Sequence, residues 1–270
     1  MKLKRIKTID RYEEIAEAFR RKGCLSNDYL QGEASGLIAE HRLFEHVEGN
    51  NAFLFVQKEG FYRLYYYLND LGDVTAFDGG NLVTEVLFRG DVETIESEVA
   101  YLEKCGMNRH LVRDQYFARY ADLTPPTPAV DVTVRGAESL EEVRWACILF
   151  NSVFDKWTGD YLPASCYEQL LRTNDILMAT DSQGCLLGAL HQTREKGAAW
   201  ISHVAVSQEA RGRGIGKALL EAYIDRNHHD DKSRYMLWVQ RQNEAAVNMY
   251  KQKGFKYINK STISLIKINA

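Results

Sequence analysis

Residues 201–227, ISHVAVSQEARGRGIGKALLEAYIDRN, restrict the fold of this chain more than any other stretch. A β-branched apolar run leads into three glycines alternating with two arginines and an isoleucine. The chain then continues with Ile215, Ala218, Leu219 and Ala222 on one helical face. A strand running into a glycine turn and then a helix aims several backbone N–H groups at one spot. The helix N-terminus adds partial positive charge, and glycine lets the backbone approach a phosphate or take left-handed angles without a Cβ clash. Arg211, Arg213 and Lys217 place mobile cations around the same point. The whole chain has a formal charge of −3, so any pull on phosphate has to be local. Two common phosphate loops fail on spacing. A Walker A loop needs Ser or Thr after Gly216-Lys217, where Ala218 stands, and an earlier glycine where Arg211 stands. A dinucleotide GxGxxG fails because Gly212-x-Gly214 meets Lys217 and Gly214-x-Gly216 meets Leu219.

Around that loop, strand and helix patterns alternate. VDVTVRGA reads as a strand and ESLEEVRWACILFNSVF as a helix. DILMATD and GCLLGALHQT read as a hairpin turning at Ser182-Gln183-Gly184, and RYMLWVQ as a buried strand. NEAAVNMYKQKG is an amphipathic helix with Asn243 as N-cap and Gly254 as stop, and FKYINKSTISLIKI closes as a strand. The N-terminal half repeats this order faintly. Asp10 and Glu13 form a capping-box pattern before a helix ending near Gly23. NAFLFVQKEGFYRLYYYLN is a hairpin, NLVTEVLFRG a strand, TIESEVAYLEKCG a helix and HLVRDQYFARY a closing strand. Gly60 aligns with Gly184 and Gly106 with Gly254; the shorter N-terminal interval lacks RGRGIG and its helix. Pro125, Pro126 and Pro128 fall together in LTPPTPAV, which can continue neither a helix nor a central strand. The reading is a mixed α/β protein with an accessory copy over residues 1–122, a linker over 123–130 and a loop-bearing domain over 131–270.

Other chemistry is sparse. The five cysteines, Cys24, Cys105, Cys147, Cys166 and Cys185, form no CxxC, which argues against a zinc knuckle or a disulfide framework. They read as idle thiols in a reducing compartment. MKLKRIKTIDRYEE is basic but lacks the apolar region of a signal peptide, and no run of about 18 apolar residues supplies a spanning helix. A soluble cytoplasmic protein is expected. Asn227-His228-His229-Asp230-Asp231 holds metal-capable residues, yet a solvated loop accounts for it and no metal is expected. Tyr62, Tyr65, Tyr66 and Tyr67 could stack on an aromatic ligand, or simply alternate between the two faces of a strand. Glu33, Glu40 and Glu45 could draw in a cationic acceptor, or be scattered surface acids.

What RGRGIG does fit is the coenzyme A loop of the GNAT superfamily of acyltransferases, Q/R-x-x-G-x-G/A, through Arg211, Gly214 and Gly216. ISHVAV resembles that family's fourth strand. NEAAVNMYKQKGF resembles its next signature through Asn243, Ala246, Tyr250, Lys253, Gly254 and Phe255. The resemblance covers residues 130–268 and implies α/β architecture with tandem GNAT-like mixed central sheets flanked by helices, the C-terminal module alone being intact. The N-terminal half has no such loop and carries Leu102 where Tyr250 aligns.

By resemblance, Arg211, Gly212, Arg213, Gly214, Ile215, Gly216 and Lys217 would hold the pyrophosphate of acetyl-CoA. Val204, Ala205 and Val206 would lie along its pantetheine arm, chiefly through backbone groups of Val204 and Val206, with Asn243 also in contact. The fourth and fifth strands would splay to admit the arm. An attacking amine of ordinary pKa, about 10.4, must lose a proton, and a thiolate leaves more easily with an acid at hand. Tyr250 takes the place of the family's acid, the alternative being a packing role. His203 is the first candidate base and His191 the second, although a histidine packed against the sheet accounts for either. A backbone N–H of the fourth strand would serve the oxyanion.

The implied activity is acetyl-CoA-dependent N-acetyltransfer to a primary amine, small or peptide. The alternative is a non-catalytic acyl-CoA-binding or regulatory protein. An aminoacyl-tRNA-dependent transferase fits less well, given the intact loop and the lack of a basic surface signal. Neither nucleic acid nor membrane is an expected partner. The tandem arrangement implies a monomer, with a homodimer as the other possibility, and the acceptor pocket is expected near residues 150–167 and part of the N-terminal half.

Overall fold

The computed structural model describes residues 2–72, 74–77, 79–126, 131–158 and 161–269. In chain order its elements are β1 (Lys4–Arg5), α1 (Ile9–Phe19), β2 (Leu25–Ser26), α2 (Ala34–Ala39), β3 (Leu43–Glu48), β4 (Asn51–Lys58), β5 (Phe61–Leu68), β6 (Leu82–Phe88), α3 (Glu96–Lys104) and β7 (Asn108–Arg119). There follow β8 (Thr133–Gly136), α4 (Leu140–Val153), α5 (Tyr167–Thr173), β9 (Ile176–Thr180), β10 (Leu186–Glu195), β11 (Ala198–Val206), α6 (Ile215–Asn227), β12 (Arg234–Gln240), α7 (Glu244–Lys253) and β13 (Lys256–Lys267). None of these helices is long and apolar enough to cross a membrane.

The chain folds as two compact units, Met1–Val112 with Lys260–Ala270, and Arg113–Asn259. Each holds a mixed sheet of the same plan. In the first the order is β1-β3-β4-β5-β6-β13, and in the second β8-β9-β10-β11-β12-β7. Every neighbouring pair is antiparallel except β5 with β6 and β11 with β12, which are parallel. Both faces of each sheet are covered, so the central strands read as continuous apolar runs rather than alternating ones. In the second unit Val143, Cys147 and Phe150 of α4 pack with Met178 and Ala189 on one face. Ile215, Leu219 and Tyr223 of α6 and Tyr250 of α7 pack with Ile201, Leu237 and Tyr116 on the other.

Two local expectations come out differently. The first helix is capped by Thr8, whose Oγ1 accepts from the Arg11 N–H at 3.3 Å, two residues before the Asp10 pattern. Both offer a side-chain oxygen, but Thr8 is the residue with extended backbone angles. The strands read as closing each half lie in the other unit's sheet. Residues 113–119 of β7 pair with β12, and residues 261–267 of β13 pair with β6. A strand's own pattern shows that it is buried but not which sheet edge receives it. The proline stretch is pinned at its start: the Thr124 N–H donates to Lys253 O at 3.0 Å, and Lys253 Nζ donates to Thr124 O at 2.9 Å. Residues 127–130, which include Pro128, lie outside the described residues.

Candidate active site

Gly212 and Gly214 take the left-handed region at φ +76° and +79°, and Gly214 is the N-cap of α6. A side chain is strained at either place. No side chain caps α6, so the first-turn N–H groups are left for another partner. Arg211, Gly212, Arg213 and Lys217 are exposed around them, while Ile215 is buried and anchors the turn in the core. At Gly216 an added Cβ would lie 3.5 Å from Met249 Sδ and 4.0 Å from Val206 Cγ2, so α6, α7 and the end of β11 meet there. Arg211 Nε donates to Val206 O at 3.4 Å.

The sheet opens beside this loop. β11 pairs with β10 from Glu195↔Ala198 to Gly188↔Val206, but with β12 only through Ala199↔Tyr235, Trp200↔Met236 and Ile201↔Leu237. β11 runs on to Val206 and β12 to Gln240, so the two part beyond Ile201 and Leu237. The Ser207 N–H donates to Leu187 O at 2.9 Å on the β10 side. By alternation, Val204 and Val206 turn their N–H and C=O groups to the open edge. The register with β10 jumps from His191↔His203 to Gln192↔Ile201, which makes Ser202 an extra residue. Such a bulge re-aims the backbone and its N–H groups where it sits, here at the point of parting. It also puts Val204 and Val206 against the same core as Ala199 and Ile201, and turns Ala205 into the α4 core.

Tyr250 is buried in the core that Val204 and Val206 also touch, its ring edge-on to Phe255 at 5.7 Å. Burial alone raises its pKa, with no hydrogen bond or charge contributing, so the phenol stays protonated. His203 lies on the opposite face, buried, stacked on Phe150 at 5.1 Å and edge-on to Phe154 at 4.8 Å. Its Nδ1 stands 3.0 Å from Nδ1 of His191, so one ring donates and the other accepts. Burial, and secondarily the neighbouring His203, push His191 down to about 3, which keeps it neutral. The sequence brought these histidines forward separately; their facing register was not legible in it.

Asn243 spends its side-chain oxygen on the α7 cap, accepting from the Ala246 N–H at 3.1 Å. Three side chains of the Asn227–Asp231 run are engaged within the fold. Asn227 donates to Gln192 Oε1 at 2.7 Å and accepts from Arg194 at 2.9 Å, His228 stacks on Tyr120 at 3.7 Å, and Asp230 is engaged with Ser233. Among the described residues no three His, Cys, Asp or Glu side chains converge. Tyr66 and Tyr67 are core residues whose hydroxyls donate to Glu98, at 2.5 Å, and to Asp28. Glu45 is buried and bound by Arg11 at 2.7 and 3.0 Å. One contributor went unnoticed in the sequence. A Cβ on Gly188 would lie 2.9 Å from Ala205 O and 3.3 Å from both Ile215 and Val206, so β10 needs glycine for the loop to seat.

Residues 145–255 match the Acetyltransferase (GNAT) family. A mycothiol acetyltransferase from Mycolicibacterium vanbaalenii is 29% identical over 201 residues, 68% of this chain and 65% of that protein. The match thus spans just under two thirds of that relative's length. A solved GCN5-related N-acetyltransferase from Sphaerobacter thermophilus superposes with a TM-score of 0.57 at 15% identity, over 98% of this chain and 95% of its own. A tandem GNAT protein from the clavulanic acid biosynthesis pathway gives 0.57 at 12% identity over 98% of each chain. Both likenesses run through the two units and concern the fold.

Proposed function

We propose that this chain, whose residues 145–255 match the Acetyltransferase (GNAT) family, is an acetyl-CoA-dependent N-acetyltransferase acting on a primary amine, small or peptide. The observation that carries this reading is the parting of β11 from β12 directly beside an uncapped, glycine-built helix start. Acetyl-CoA supplies an acyl group activated as a thioester. The first-turn N–H groups of α6, with Arg211, Arg213 and Lys217, bind its pyrophosphate. The open-edge groups of Val204 and Val206 hydrogen-bond its amide-bearing arm. The bulge at Ser202 offers a backbone N–H to the carbonyl oxygen as charge develops there.

Tyr250 gives its proton to the departing sulfur. His203 takes the amine proton at Nε2. His191, held neutral, acts as a positioning residue: it accepts from Nδ1–H of His203 and so fixes the tautomer. The mycothiol acetyltransferase likeness supports acetyl transfer in general, and the acceptor is proposed only as a class. The test is thiol release from acetyl-CoA across a panel of amines, with the acetylated product weighed by mass spectrometry. Thiol release matched by acetylated amine is expected. Tight coenzyme A binding with no turnover on any acceptor would replace the enzyme by an acyl-CoA-binding protein.

A further inference from the structure

The two sheets share one pairing plan, yet they treat the cleft at their parallel pair in opposite ways. β5 and β6 pair through only Tyr62↔Leu82 and Arg63↔Val83, much as β11 and β12 do through three pairs. Beyond that point the edge of β5 is covered by the chain's own residues. Leu25 and Ser26 of β2 pair with Leu68 and Tyr67. Asn27, 3% exposed, fills the remaining gap with its carboxamide. Its Oδ1 accepts from the Tyr66 N–H at 2.9 Å; its Nδ2 donates to Leu64 O at 3.3 Å, Thr84 Oγ1 at 2.9 Å and Glu85 O at 3.0 Å. The Leu64 C=O and Tyr66 N–H are the same-edge pair that a neighbouring strand's amide would engage. The Asn27 amide, together with the Thr84 hydroxyl that also donates to Leu64 O at 2.8 Å, therefore stands in for a strand, and the amide reaches both β5 and β6.

The next residue locks this insertion. The buried Asp28 carboxylate accepts from Tyr12 Oη at 2.8 Å, from Tyr67 Oη and from the Leu30 N–H at 2.9 Å, with Arg20 3.6 Å away. The rest of the first unit agrees with a closed cleft. The β4–β5 register is unbroken, with no bulge, and no helix lies among the described residues between β5 and β6.

We propose that Leu25–Asp28 is a built-in occupant of the first unit's cleft, standing where the second unit takes the amide-bearing arm of acyl-CoA. The chain then has one acyl-CoA site for two repeats, and the first unit is shut by its own peptide. The comparison with the arm rests on the acetyl-CoA reading of the second unit.

Two measurements on the full chain keep the two ideas apart. Native-state hydrogen exchange compares the wild type with Asn27→Leu, or with the milder Asn27→Ser if the first variant does not fold. Exchange at the Tyr66 amide should quicken at least about tenfold once its acceptor is gone, a change of about 1.4 kcal/mol in local opening. Unchanged exchange there would overturn the plug. Calorimetric titration of the wild type with coenzyme A should give one equivalent per chain. Two equivalents would also overturn it. No binding would refute the second unit's site instead, leaving the exchange result to decide the plug.

Discussion

Tyr250 and His203 are both buried, but the consequences for their protons differ. Tyr250 has nothing but burial acting on it, so its proton is held well past neutrality. Tyr250→Phe keeps the packing against Phe255 and removes only the hydroxyl. It should lower kcat by roughly a hundredfold or more, the ordinary worth of a general acid, with coenzyme A affinity unchanged in titration. A drop in affinity with kcat intact would mark Tyr250 as packing alone. His191 offers a pH test. Its native pKa of about 3 lies below the usual 6.5, so below about pH 6.5 the unfolded chain takes a proton that the native chain refuses. Stability should therefore be full above that pH and fall toward pH 3, with a slope of at most about 1.4 kcal/mol per unit from this group. Urea unfolding of His191→Gln should show a flatter decline between pH 6.5 and 5, and an identical slope would contradict the assignment. Residue types that answer a backbone need were legible in the sequence: Gly214 at φ +79°, Gly254 at φ +107° and the Asn243 cap. The His191–His203 contact was not, because it depends on which residues two strands set opposite each other.

At the level of elements, β10, β11 and the start of α6 meet at a close approach around Gly188. Gly188→Ala sets a Cβ 2.9 Å from the Ala205 carbonyl, which is backbone and cannot swing aside. It should cost about 1–3 kcal/mol in thermal or urea unfolding, as overpacking does, and weaken coenzyme A binding by displacing Ile215 and the loop with it. Full stability with wild-type affinity would show that the loop does not depend on this approach. Helices α6 and α7 are joined by the Lys253–Glu221 pair at 2.6 Å, with Lys253 almost wholly buried. Lys253→Met leaves the carboxylate without that charge and should cost about 3–5 kcal/mol, read as a lowered urea midpoint. The strands and helices of the second unit were largely readable, since long apolar runs and periodic helices carry their own signal. β1 and β2, two residues each, have no such signal; partners alone define them. The seven-residue α5 was missed for a similar reason, being only about two turns packed against α4.

For the whole molecule, one pairing plan appears twice, and the glycine-built, uncapped helix start lies in the second copy. The faint repeat in the sequence reflected this plan, and the shorter interval in the first half matches the lack of a helix between β5 and β6 among the described residues. What the sequence could not convey was the exchange of last strands. β7 and β13 each follow a helix and have the same length, and nothing in their own pattern selects a sheet. The bulge at Ser202 was equally hidden, although it decides which face each side chain of β11 takes. The activity proposed for the second unit depends on RGRGIG acting as a pyrophosphate cradle. Gly214→Pro tests this most directly, because proline fixes φ near −65° where the loop needs +79° and removes one N–H. In a calorimetric titration with coenzyme A, on protein whose circular dichroism and Tm show it folded, the variant should lose at least about tenfold in affinity. Wild-type affinity in that folded variant would contradict the cradle.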